Sequence, residues 1–107
     1  KDENIYDTVE QMPEFPGGLS ACMSYIARNV KYPTIALENG IQGRVVVQFR
    51  VEKDGSISNT VVTKSVNPYL DKEALRVVSS MPKWTPGKQK GKPVRVKYTL
   101  PVHFRLK

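Results

Sequence analysis

The chain has 107 residues, enough for one domain and too few for two. With 39% hydrophobic and 25% charged residues it has a globular composition, which excludes disorder along its whole length. The net charge of +7 is unevenly placed: Asp2, Glu3, Asp7, Glu10 and Glu14 crowd the start, and the rest is strongly basic. A basic body draws nucleic acid, anionic lipid or acidic proteins, but charge bears first on solubility. The single Cys22 excludes an internal disulfide and a Cys-based zinc cluster. The chain begins at Lys1 and has neither a signal peptide nor a long apolar run. We therefore expect it to be a piece of a longer protein whose membrane anchor lies elsewhere.

Residues 1–17 hold Pro13, Pro16 and Gly17 and read as an extended lead-in with a turn, pinned by Met12 and Phe15. Residues 18–107 form the domain proper. A helix is expected over 18–30, because Leu19, Met23, Ile26 and Val30 make one apolar stripe flanked by Cys22 and Ala27. Pro33 disfavours helix at Tyr32. A short helix from Thr34 to Glu38 follows, stopped by Asn39-Gly40.

The clearest strand covers 44–52. Val45, Val47, Phe49 and Val51 share one face, and Arg44, Gln48 and Arg50 share the other. Asp54-Gly55 is a hairpin signal, and the return strand runs from about Ile57 to Lys64. Its irregular alternation predicts a bulge or an edge. Asn67 caps a helix starting near Pro68, with Leu70, Ala74, Val77, Val78 and Met81 as its stripe. Residues 82–93 read as a loop. A final strand runs from about Val94 to Leu106, with Pro101 marking an edge or a bulge.

The predicted fold class is α+β: a three-stranded antiparallel sheet with helices packed on one face, in the order α-β-β-α-β. A right-handed crossover puts the last strand on the free side of the first, giving strand order two-one-three. The last strand is then left with an open edge.

Catalysis is poorly supported. His103 is the only histidine and Cys22 lies among apolar helix positions, so they read as a surface imidazole and a packed thiol. No catalytic residue, metal site or cofactor is expected. The Lys88, Lys90, Lys92 loop is the sharpest charge cluster and reads as a solvated turn. Nucleic acid is not expected as a partner, because Phe49, Tyr98 and Phe104 sit in the apolar register and leave no base-stacking aromatics on the open face. Trp84 reads as a cap on the core. The open edge has two readings. It is either protected by Arg95, Lys97, Pro101 and Arg105, or a dock for an extended peptide. The residues alone do not choose between them.

Several strings together resemble the TonB C-terminal domain family over nearly the whole chain. They are MPEFPGG at Met12–Gly18, Tyr32-Pro33, GIQGRVVVQFRVEKDG at Gly40–Gly55, LDKEALRVV at Leu70–Val78, PKWTPGKQKGKPV at Pro82–Val94 and YTLPVHFRL at Tyr98–Leu106. The resemblance implies the periplasmic domain of an inner-membrane-anchored, non-enzymatic energy transducer that works with ExbB and ExbD through its N-terminal part. It implies binding of the TonB box peptide of outer-membrane transporters by strand addition to the last strand. The residues concerned are Val94, Arg95, Val96, Lys97, Tyr98, Thr99, Leu100, Val102, His103 and Phe104. It also implies a second contact zone at Asn29, Tyr32 and Pro33. An open edge further makes a homodimer plausible. Two alternatives differ in class: a C-terminal sensing domain of a membrane-bound regulator, and a peptidoglycan- or polyanion-binding module using Lys88, Lys90 and Lys92.

Overall fold

A computed structural model describes residues 3–106. Its elements in chain order are β1 (Ile5–Tyr6), α1 (Leu19–Asn29), α2 (Thr34–Glu38), β2 (Gly43–Val51), β3 (Ile57–Lys64), α3 (Pro68–Ser79), β4 (Gly87–Gln89) and β5 (Lys92–Phe104).

β2 is the centre of the sheet because its alternation lets one face be buried completely. Val45, Val47, Phe49 and Val51 are all inaccessible, while Arg44 on the other face is exposed. β5 pairs with it in register from Gly43↔Phe104 to Val51↔Val96. The matching parity puts Val96, Leu100, Val102 and Phe104 on the same buried face. Cys22 and Ile26 of α1, Ala36 of α2 and Leu70, Ala74, Val77 and Val78 of α3 join these strands in one core. All three helices thus contribute to the apolar face, as the sequence pattern requires.

The expected three-stranded order is present as β3-β2-β5, but the sheet is larger and mixed. β1 runs parallel to β5, with Ile5 opposite Arg95 and Tyr6 opposite Val96, so the order is β1-β5-β2-β3. The presumed loop over 82–93 contains β4, which pairs with the start of β5 through a tight turn at Lys90-Gly91. Both turn residues have positive φ, 53° and 76°, as a two-residue hairpin with the twist of its strands demands. β5 therefore begins at Lys92 and ends at Phe104, two residues before each expected limit.

Local rules account for the remaining elements. Asn67 caps α3 by accepting hydrogen bonds from the N–H groups of Tyr69 (2.8 Å) and Leu70 (3.4 Å), with Pro68 in the first turn. The ladder between β2 and β3 shifts register twice, and Asn59 sits at φ 49°, so the return strand is bulged as expected. The buried line of α1 differs from the expected stripe. Cys22 and Ile26 are buried, whereas Leu19 is 61% exposed.

Trp84 is 3% exposed and closes one end of the core, with its ring edge-on to Phe15, Phe49 and Tyr98. The backbone N–H of Trp84 donates to the Gly55 carbonyl at 2.8 Å. A Cβ at Gly55 would lie 1.9 Å from the Trp84 carbonyl oxygen, so the hairpin tip approaches this close only because it is glycine.

Candidate functional site

The last strand is divided. Val94 lies opposite Gly87 of β4, and Arg95 and Val96 are paired with β1, so the start of the expected docking strand already has partners. From Lys97 to Phe104, β5 pairs only with β2 among the described residues. The sealed part was not legible because β1 is two residues long and β4 is Gly-Lys-Gln. Neither carries an apolar period.

Proline fixes the direction of the open groups. Pro101 stands opposite Val46 within the unbroken run of pairs to β2. Within sheets, proline is placed with its nitrogen away from the ladder. Backbone groups alternate sides along a strand. The N–H groups of Lys97, Thr99 and His103, and the carbonyls of those residues and of Pro101, then point to the open side. The side chains of Thr99 and His103 are exposed, and those of Leu100, Val102 and Phe104 are buried beneath the sheet.

Two flanking charges are already engaged. Arg95 Nε donates to Glu52 Oε1 at 2.9 Å, a half-buried pair across the strands. Lys97 Nζ lies 3.6 Å from Asp7 Oδ1, a loose and exposed contact. Burial raises the Tyr98 phenol above its ordinary value, which keeps it neutral beside the edge.

The second zone is held from behind. Tyr32 donates its hydroxyl proton to the Ile41 carbonyl and sets its ring edge-on to Phe104 at 5.7 Å. Asn29 turns its amide back onto the Tyr25 carbonyl at 2.8 Å, and its own carbonyl accepts from Arg76 at 2.8 Å. Glu73 accepts from Arg76 and from the Lys31 N–H at 2.6 Å. Burial raises the Glu73 carboxyl, but these donors outweigh it and the net pKa is low. Tyr32 thus meets the end of β5, Asn29 rests on Arg76 of α3, and Pro33 lines a surface depression with Tyr32, Glu73 and Arg76.

The remaining candidates fall apart as a group. Lys88 is tied through its backbone to Gln11 (2.8 and 3.1 Å), and the Lys90 N–H donates to Glu10 at 2.6 Å, so the basic loop is an ordered hairpin. Cys22 is inaccessible, its thiol packs 4.0 Å from the Met81 sulfur, and burial raises it to about 11. His103 is exposed, so the two do not form a catalytic pair. Among the described residues no cluster of three or more His, Cys, Asp or Glu suits a metal.

Fold and edge define a class: small α+β domains with a mixed, curled sheet, helices on one face and, among the described residues, one long strand open along part of its outer side. The family described as the C-terminal region of the Gram-negative bacterial TonB protein matches residues 28–106. Two solution structures of the Helicobacter pylori TonB C-terminal domain are similar, both at 27% identity. One has a TM-score of 0.63 and covers 82% of this chain and 92% of its own. The other has 0.62 and covers 78% and 76%. The Pseudomonas aeruginosa TonB C-terminal domain is 28% identical, with a TM-score of 0.51 over 72% of this chain and 78% of that one. A comparison with curated proteins gave no match. The chain belongs to the TonB C-terminal family. That family is periplasmic and non-enzymatic, and membership implies energy transduction to TonB-dependent outer-membrane transporters.

Proposed function

We propose that this domain grips the TonB box of an outer-membrane transporter by adding it as a strand to β5, along Lys97–Phe104. The observation that carries the reading is that among the described residues this stretch pairs on one side only, with the central strand. Main-chain hydrogen bonds do not depend on side-chain identity, so one edge serves many transporters. Each bond contributes about 0.5–1.5 kcal/mol net. A handful of them, less the cost of ordering the peptide, gives a Kd of roughly micromolar or weaker. That affinity suits a partner that must be released.

Of the second contact zone at Asn29, Tyr32 and Pro33, Tyr32 lies against Phe104, at the far end of the open edge. A transporter that fills the edge meets it next. Pull enters through a preceding region anchored in the inner membrane and driven by ExbB and ExbD. It leaves through β5, whose long ladder to β2 holds the loaded strand in the core.

Peptides from the cell's own TonB-dependent transporters test this. We expect their titration to move the amide resonances of Lys97–Phe104 and those around Tyr32, and to leave β3 unmoved. If a full panel at millimolar concentration left the Lys97–Phe104 amides in place, the proposal would fall.

A further inference from the structure

We propose that the helix-free face of the sheet is a second docking surface, separate from the edge of β5, and that its partner is an anionic lipid surface. It does not depend on strand addition.

The helices and the core lie on one side of the sheet, so Val45, Val47, Phe49 and Val51 are buried and Arg44, Val46, Gln48 and Arg50 look outward. The β5 residues opposite these four are His103, Pro101, Thr99 and Lys97. β3 adds Lys64 beside Val46 and Val61 beside Gln48.

Arg50 thus stands directly opposite Lys97. With the Pro101 nitrogen turned away from β2, the Val46–Pro101 pair exchanges no hydrogen bonds. Pairs alternate along the ladder, so Arg50–Lys97, four places on, exchanges none either. Side chains approach most closely in such pairs, and like charges there destabilise a sheet. A cost of this kind is sustained where a site makes use of it.

Nothing nearby offsets the charge. Among the described residues no carboxylate lies within ion-pair distance of Arg44, Arg50 or Lys64. Glu52, the next outward-facing position after Arg50, is taken by Arg95 at 2.9 Å and by the Ser58 hydroxyl. Lys97 meets only the loose Asp7 contact at 3.6 Å. Protection of an edge accounts for Lys97 and Lys64, whose strands each have an uncovered side among the described residues. It does not account for Arg44 and Arg50, which lie on the central strand.

The form of the face selects the partner. Its middle is Val46, Gln48, Thr99 and Pro101, with basic residues at both ends. Arg44 and Arg50 are six residues apart, about 20 Å along the strand. Phe49, Tyr98 and Phe104 all point to the core side, so this face has none of the aromatic anchors of protein interfaces and none of the stacking rings of nucleic-acid sites. Cations spread over a broad sheet suit a fluid array of anions that rearranges to meet them. Headgroups at an anionic membrane are such an array, and each basic side chain near it strengthens binding about fivefold. The free backbone groups of β5 lie in the plane of the sheet, so a domain held on lipid keeps its edge available. Its search for a transporter then runs along a surface.

The test is co-sedimentation with vesicles of phosphatidylcholine alone and of phosphatidylcholine and phosphatidylglycerol in equal parts. Wild type is compared with an Arg44→Gln/Arg50→Gln/Lys64→Gln variant and with Lys88→Gln/Lys90→Gln/Lys92→Gln, which removes the same charge from the β4–β5 hairpin. We expect wild type to bind the anionic vesicles at least about tenfold better than the neutral ones. That binding should be lost as salt rises from about 0.1 M to about 1 M. The face variant should bind about tenfold more weakly than wild type, and the hairpin variant within about threefold of it. The face variant's urea midpoint should equal or exceed that of wild type, because a like-charge pair is relieved; a fall would assign these side chains to the fold and overturn the proposal. Equal losses in the two variants would reduce the effect to net charge and overturn it as well. So would wild-type binding that fails to distinguish the vesicles, a comparison that needs no variant. Binding to poly-glutamate without binding to vesicles would give the face to an acidic protein instead. Transporter-peptide shifts at Lys97–Phe104 should survive in the face variant, and their loss there would make the two surfaces one. The vesicle result stands or falls without them.

Discussion

Replacing Thr99 by proline tests the direction of the open backbone groups. If the Thr99 N–H points away from β2, Thr99→Pro removes a donor that only an added strand would use. The ladder to β2 stays intact, and the exposed side chain carries no packing that would be lost. The partner's carbonyl is left without a hydrogen bond, which costs about 1–3 kcal/mol where the site is dry. The ring also narrows the approach. We expect transporter-peptide affinity to fall roughly tenfold or more. Thr99→Ala keeps the N–H and should bind as wild type does. Urea unfolding separates binding from folding, and the Thr99→Pro midpoint should lie close to that of Thr99→Ala. Two results refute the reasoning. If Thr99→Pro unfolds while Thr99→Ala does not, the N–H serves β2 and the assigned direction is wrong. If Thr99→Pro stays folded and binds unchanged, the edge is not where the peptide sits.

Gly55→Ala should destabilise the domain by about 3 kcal/mol or more, read as a shift in urea midpoint at constant slope. The residue holds φ +88°, and a Cβ would collide with the Trp84 carbonyl at 1.9 Å. Asn67→Ala should cost about 1 kcal/mol through loss of the α3 cap, checked the same way. Glu73 has a folded pKa below its ordinary 4.5, so its contribution is present above that value and lost as pH falls through the lower folded one. Thermal melts of Glu73→Gln should accordingly lose less stability than wild type as pH is lowered from 5 to 3. Native Cys22 should resist a thiol reagent at pH 8 and react on unfolding, because burial raises the thiol to about 11; rapid labelling of folded protein would contradict the packing described.

Strong periods were legible and weak ones were not. β2 could be read from Val45, Val47, Phe49 and Val51 because each was required on one buried face, and the structure buries all four. α3 was legible from its cap and stripe together, and the Asp54-Gly55 turn from its residue chemistry. β1 and β4 were missed for a shared reason: each is a short segment whose pairing is decided by what lies next to it, not by its own side chains. The Lys90-Gly91 dipeptide was the available signal, since both residues adopt positive φ in a two-residue turn. In α1 a helical period was correctly read but its centre was misplaced by one position, which assigned Leu19 to the core. Period alone fixes a stripe and not which edge of it meets solvent. Of the site itself, only the strand could be read from alternation. The division of its edge depends on the lead-in folding back from ninety residues away, as in the pairing of Ile5 with Arg95.

Among the described residues the sheet has two edges that no strand covers, the outer side of β3 and that of β5 past Val96, and the domain treats them differently. An unpaired edge invites association with any extended chain, so native proteins blunt it. β3 is blunted: its ladder slips twice, Asn59 bulges the strand with a positive φ, and α3 packs beside it, with Thr60 and Ser79 hydroxyls 3.1 Å apart. β5 is instead capped at one end by the lead-in and keeps unbroken register with β2 over Lys97–Phe104. Had the lead-in served only to hide the edge, continued pairing past Tyr6 would have done so. The chain turns away at Asp7 and returns with Met12 lining one surface depression with Tyr98 and Leu100 of β5. Its course limits the length of edge on offer and supplies a wall beside what is left, which is the geometry of a dock with a defined start rather than of a strand left unprotected.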